Sequence, residues 1–134
     1  MTDLDRHQLR IVVADDNQDA ALTLSMLLDR LGFDVIAAVF DGESALECIR
    51  TERPHVAVLD IAMQGLDGLE VAQQARADAG AALRLVAVTG LGSACDRADA
   101  LRAGFDAYFS KPVEGQKLEE LMLAYLQSGI ARPG

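Results

Sequence analysis

A four-residue apolar run, Val56-Ala57-Val58-Leu59, stops at a carboxylate, Asp60, and two glycines follow at Gly65 and Gly68. The run is too short for a helix, and Pro54 just ahead of it disfavours helix at the residue before. A brief apolar run bounded by turn residues suits a strand buried on both faces, as in a parallel sheet covered by helices. Asp60 then stands at the carboxyl end of a central strand, the end outside which open α/β sheets bind their ligands. What such a fold can do depends on which other charged groups converge on Asp60.

The same grammar recurs along the chain. Leu9–Ala14 is a β-branched run that ends on a carboxylate pair, Asp15-Asp16. Asn17 or Asp16 can cap the helix that follows. Its apolar residues, Ala21, Leu24, Leu27, Leu28 and Leu31, fall at helical spacing, and Gly32 suits its C′ position. Phe33–Val39 reads as a second strand. Asp41-Gly42-Glu43 opens a second helix with Ala45, Leu46 and Ile49 on its buried face. After Asp60, a third helix starts at Asp67-Gly68-Leu69-Glu70 and runs to about Ala79, with acids in its first turn as the helix dipole favours. Leu83–Val88 is a fourth strand ending at Thr89-Gly90. Ser93 caps a fourth helix, Ala94 to Ala103, which Gly104 closes. Phe105–Phe109 is a fifth strand and leads into Ser110-Lys111-Pro112. The last helix runs from about Glu114 to Leu126, with Leu118, Leu121, Met122 and Tyr125 on its apolar side.

Five strands alternating with five helices through short connections imply right-handed crossovers and one doubly wound parallel sheet. Residues 9–127 form this domain. Residues 1–8 read as a tail, and residues 128–134 as a tail or linker stub. The strand ends deliver Asp15-Asp16, Asp60, Thr89 and Lys111-Pro112 to a single edge of the sheet.

Composition narrows the partners. A net charge of -9 and a pI near 4.5 argue against a nucleic-acid surface, which needs a basic patch. Cys48 and Cys95 form neither a disulfide framework nor zinc spacing, and both read as small helical hydrophobes. No run reaches the ~20 apolar residues of a membrane span. The first eight residues are polar and carry no signal-peptide pattern. The expected location is the cytoplasm. His7 lies in the tail and His55 at the amino end of the third strand, so neither is expected to take part in chemistry.

Three converging carboxylates repel one another, and burying them is costly without a cation. Magnesium takes oxygen ligands and keeps several waters, which leaves room for a phosphoryl oxygen. Lys111 adds a mobile point charge suited to phosphate. Thr89 offers a hydroxyl, and Gly90 a backbone N–H that no side chain shields. Together these groups suit phosphoryl transfer to or from an aspartate.

On these residues the chain resembles the receiver domain of two-component response regulators, including the chemotaxis receiver. The matching features are Asp15-Asp16, Asp60, Thr89 and Lys111-Pro112, each after its strand, over about Arg10 to Leu126. The resemblance implies the strand order 2-1-3-4-5. It makes Asp60 the phosphoacceptor for a histidine kinase or histidine phosphotransfer domain. Asp16, with help from Asp15, together with Asp60 and the backbone carbonyl of Ala62, would hold Mg2+ (or Mn2+). Lys111 would pair with the phosphoryl group, Thr89 would be the switch hydroxyl and Tyr108 the aromatic switch residue. The Lys111-Pro112 bond would be cis. Dimerisation through the fourth helix, fifth strand and fifth helix is a habit of the family. The departure is Gln64, where the family usually has proline; with Gly65 beside it, the loop is expected to be less preset.

Ala62 and Leu91 fill variable positions of the family with apolar side chains that cannot orient water, which implies slow self-dephosphorylation. Two rivals fail on single features. A haloacid-dehalogenase-type phosphatase needs a second aspartate where Ala62 stands. A flavodoxin needs a hydroxyl-rich phosphate loop where Asp15-Asp16-Asn17-Gln18-Asp19 would repel the phosphate. The surviving alternative is a receiver-fold interaction module that signals without phosphorylation. The Leu-Val-Ala-Val-Thr-Gly-Leu-Gly stretch resembles receivers of hybrid histidine kinases.

Overall fold

A computed structural model describes residues 5–63, 65–90 and 97–128. The strands are β1 (Arg10–Ala14), β2 (Asp34–Val39), β3 (Val56–Asp60), β4 (Arg84–Thr89) and β5 (Ala107–Ser110). They form one sheet in the order β2-β1-β3-β4-β5, and every neighbouring pair is parallel. The helices are α1 (Gln18–Arg30), α2 (Gly42–Glu52), α3 (Gly68–Ala79), α4 (Arg97–Ala103) and α5 (Gly115–Gln127). The expected doubly wound α/β fold and its strand order are both observed.

Strand alternation builds two cores. Val56 and Val58 of β3, with Val86 and Val88 of β4, pack toward Leu28 of α1 and Leu118 and Met122 of α5. Ala57, Leu59, Leu85 and Ala87 face the other way, toward Leu46 and Ile49 of α2, Val71 and Ala75 of α3 and Ala100 of α4. Every residue of β3 is buried, as the unbroken apolar run requires.

Helix starts follow side-chain capping. Asn17, Asp41 and Asp67 accept hydrogen bonds from the backbone N–H groups of Ala20, Ser44 and Glu70. The Ser44 N–H holds the Asp41 carboxyl below the usual range. At the other end of α2, Arg53 takes a left-handed conformation just before Pro54.

Several boundaries differ from the sequence reading. Phe33 donates its N–H to the Leu28 carbonyl and closes α1, so β2 begins one residue later. Phe105 does the same for α4 by bonding to the Ala100 carbonyl, after Gly104 at φ +112, and β5 begins at Ala107. Thr89 belongs to β4 itself. Within the expected amino-terminal tail, Arg6–Gln8 forms a 3-10 turn. Arg6 ties it to the domain through the Leu31 carbonyl, Glu119 and the Phe33 ring. The expected cap Ser93, with Ala94 and Cys95, lies outside the described residues. Cys48 is half-buried in α2, and burial pushes its thiol pKa up. No helix among the described residues is long and apolar enough to cross a membrane.

Candidate functional site

Strand ends along one edge of the sheet set the site. β1 delivers Asp15 and Asp16, β3 delivers Asp60, and the turn after β5 delivers Lys111. Pairing between β4 and β5 continues into that turn, where the Lys111 N–H donates to the Thr89 carbonyl at 2.8 Å. The Lys111-Pro112 bond is cis.

Asp15 and Asp60 are buried, at 6% and 5% exposure, whereas Asp16 is exposed. One carboxylate oxygen from each of the three lies within 4.8 Å of the others. The Lys111 ammonium reaches both buried acids, at 2.7 Å to Asp15 Oδ2 and 3.1 Å to Asp60 Oδ2. The remaining oxygens are held by the backbone: Asn17 N–H donates to Asp15 Oδ1 at 2.9 Å, and Ala62 N–H to Asp60 Oδ1 at 3.1 Å.

The electrostatics follow from this crowding. Burial, and then the charge of Asp15, push the Asp60 carboxyl above its ordinary value; the Lys111 hydrogen bond opposes them. Burial pulls the Lys111 ammonium down, but its two carboxylate partners outweigh that, and its pKa lies above the usual lysine value. A single lysine thus serves two buried acids, with a third acid at the surface. A cluster of hard oxygen donors short of positive charge matches a small divalent cation.

The other expected residues take different places. Thr89 is buried, and among the described residues its hydroxyl makes a long 3.5 Å contact with the Gly90 carbonyl. A Cβ on Gly90 would meet nothing within 4 Å among the described residues. Ala62 is exposed next to Asp60. Tyr108 is not brought to the acids. It lies opposite Ala87 in the β4–β5 register, half-buried against the core under α2, α3 and α4, with the Arg97 guanidinium 5.5 Å from its ring centre. Gln64 and Leu91 lie outside the described residues.

A groove of about 560 Å³ opens beside Asp60 and Lys111. Ala20, Thr23, Leu24 and Leu27 of α1 form one wall, and Pro112 and Val113 the other. On the outer side of α1, Leu22 and Met26 are about half exposed.

Sequence reasoning missed two supports of the site. Asn17 was visible as a cap, but not as the donor that orients Asp15. Gly68 was visible as a helix start. Here a Cβ at Gly68 would lie 2.5 Å from the Asp60 carbonyl oxygen, so α3 begins in contact with the backbone of Asp60. The only sequence signal for that contact was a glycine directly after a capping aspartate.

Comparison with known proteins agrees with this geometry. The family model of the response regulator receiver domain matches residues 11–123. The transcriptional regulatory protein TctD of Salmonella typhimurium is 37% identical over 119 residues, 89% of this chain and 52% of that protein. The alkaline phosphatase synthesis transcriptional regulatory protein PhoP of Bacillus subtilis is 35% identical over 125 residues, 92% of this chain and 51% of that protein. The chain therefore spans about half the length of these relatives, which are transcriptional regulators rather than hybrid kinases. A CheY-like receiver domain protein from Methanospirillum hungatei superposes with a TM-score of 0.81 at 27% identity, covering 90% of this chain and 94% of that one. The receiver domain of a NarL response regulator from Mycobacterium tuberculosis gives 0.78 at 27% identity, covering 90% and 98%. Fold, acid cluster, sequence match and structural match agree: this chain belongs to the response regulator receiver family of two-component systems.

Proposed function

We propose that residues 9–127 work as a phosphoacceptor receiver in the cytoplasm. An Asp60 carboxylate oxygen attacks the phosphorus of a phosphohistidine on a histidine kinase or phosphotransfer domain. The new P–O bond forms as the P–N bond breaks, and the imidazole leaves. The observation that carries this reading is Lys111 Nζ, held between Asp15 and Asp60 at the edge of the sheet. An ammonium already placed there can follow the transferred oxygens as their charge develops.

Asp15, Asp16, Asp60 and the Ala62 carbonyl are the groups that would hold Mg2+ (or Mn2+). Bound there, the ion would offset the carboxylates and the phosphoryl charge. The Thr89 hydroxyl and the Gly90 N–H supply hydrogen bonds to the phosphoryl oxygens, and Tyr108 on β5 relays the change to the α4 side. The groove between α1 and Pro112, with exposed Leu22 and Met26 beside it, supports docking of a protein that presents the histidine. The net charge of -9 supports protein rather than nucleic acid as the partner of these residues. The chain is a stoichiometric phosphoacceptor that catalyses its own phosphorylation. Apolar Ala62 and Leu91 make the acyl phosphate long-lived.

Incubation with a small phosphodonor and Mg2+, followed by intact-mass measurement, tests the reading. A gain of one phosphate is expected, absent in Asp60→Asn and persisting for many minutes after the donor is removed. No gain in the parent protein would favour the interaction module that works without phosphorylation. Loss of the phosphate within seconds would contradict the roles given to Ala62 and Leu91.

A further inference from the structure

The connection from β3 to α3 leaves Asp60 and turns back within a few residues. Within it, the Ile61 carbonyl accepts from the Met63 N–H at 3.1 Å and from the Gly68 N–H at 2.9 Å. Its outer side rests on α2. A Cβ on Gly42, the first residue of α2, would lie 1.6 Å from the Leu66 carbonyl oxygen and 2.6 Å from its carbonyl carbon. No side chain fits there unless the loop moves. One residue earlier, Gly65 has φ +72, and a Cβ on it would lie 2.9 Å from both carboxylate oxygens of Glu43. Two successive residues of α2 thus touch two successive residues of the loop.

The end of α2 that makes these contacts is itself fixed. Asp41 caps it through the Ser44 N–H at 2.7 Å, and Ala45, Leu46 and Ile49 anchor the helix in the core. On the inner side, Gly68 abuts the carbonyl of Asp60. Ile61–Met63 and Gly65–Asp67 are therefore held between α2 and the end of β3.

We propose that Gly42 and Glu43 are positioning residues: the first turn of α2 braces the loop that carries Ala62, supplying by packing the order that a proline at position 64 would supply by restricting the backbone. The bracing concerns the loop itself. Its consequence for metal rests on the reading of the Ala62 carbonyl as a ligand. A loop free to shift would present that carbonyl to Asp15, Asp16 and Asp60 only part of the time, and metal affinity would fall.

Two readouts on the unphosphorylated protein separate these claims: hydrogen exchange of the amides in 61–67, and Mg2+ affinity by calorimetry. In Gly42→Ala, exchange in 61–67 rises and Mg2+ binds about tenfold more weakly, while amides in α1 and α5 exchange as in the parent. Glu43→Ala shifts both in the same direction by less. Glu43→Gln, which keeps the side chain against Gly65, behaves as the parent and excludes a simple charge effect. If Gly42→Ala does not fold, the Glu43 pair decides. Unchanged exchange in 61–67 in the variants overturns the bracing. Faster exchange with unchanged Mg2+ affinity overturns its link to the metal carbonyl. Absence of Mg2+ binding by the parent protein overturns the reading of the site, while the exchange data still judge the brace.

Discussion

β3 carries a buried polar residue at each end, His55 just before it and Asp60 closing it, each 5% exposed. Their surroundings differ. Three hydrogen bonds tie His55 to the backbone of β1 and β4. Its Nδ1 accepts from the Arg10 N–H at 3.0 Å, its own N–H donates to the Arg10 carbonyl, and its carbonyl accepts from the Arg84 N–H. The imidazole stitches β1 to β3 at the amino edge. Asp60 instead shares one lysine with a second buried acid and lies next to a third. Both edges also open onto grooves of similar size. The amino-edge groove, about 590 Å³, is lined by Ile49, Arg50, Arg53, Pro54 and Asp78, and there Arg50 and Asp78 neutralise each other at 2.7 Å. Neither burial nor groove volume separates the two edges. Uncompensated charge does.

The contrast breaks most sharply at Lys111. Lys111→Ala should slow phosphorylation by a small phosphodonor about 100-fold, as loss of a preorganised charge does. It should also destabilise the metal-free protein by about 2 kcal/mol, a figure discounted because the lysine side chain is 32% exposed. Phosphorylation at the parent rate would remove the functional asymmetry between the edges. Stopped-flow labelling and urea unfolding measure the two effects.

His55→Ala tests the opposite edge. It leaves the Arg10 N–H without its imidazole partner and should cost about 2 kcal/mol in urea unfolding. The rate of phosphorylation should be unchanged. A slowed rate with intact fold would show that the two ends of β3 are coupled.

Tyr125 sharpens the comparison through pH. Its hydroxyl is buried without a hydrogen-bond partner among the described residues, and Arg84 stacks on its ring. Burial, and then the charge of Asp106, push its pKa up to about 12. Because the folded value exceeds the ordinary 10.0, the neutral phenol contributes stability that is complete below 10.0 and is lost as pH rises through about 12. In a Tyr108→Phe variant, ultraviolet titration should show the remaining tyrosinate forming near 12, together with loss of structure. Ionisation at the ordinary value would mean that water reaches this position.

The smallest expected effect is at Arg6, where a partly exposed ion pair and a carbonyl contact tie down the amino-terminal turn. Arg6→Ala should cost less than about 1 kcal/mol in thermal unfolding.

What could be read in advance followed from local chemistry. Asp60 was legible because an apolar run ending in an acid reports both a buried strand and its polar end. Lys111 was legible because a charge followed by proline, directly after the last strand, has few bland explanations. The role of His55 was not legible, since its partner is the backbone of Arg10, forty-five residues away. The brace at Gly42 was hidden for the same reason: in the sequence, Asp41-Gly42 is simply a helix start, and its contact with Leu66 exists only once α2 and α3 lie side by side. The start of β5 was misjudged because Phe105 is apolar enough for a strand yet serves to close α4.

The most direct measurement reduces the phosphorylated protein with borohydride, which converts an acyl phosphate to homoserine, and maps the change by peptide mass. Conversion at Asp60 alone is the predicted result. Conversion at Asp15 or Asp16, or a phosphate that borohydride leaves untouched, would contradict the assignment of Asp60 as the phosphoacceptor.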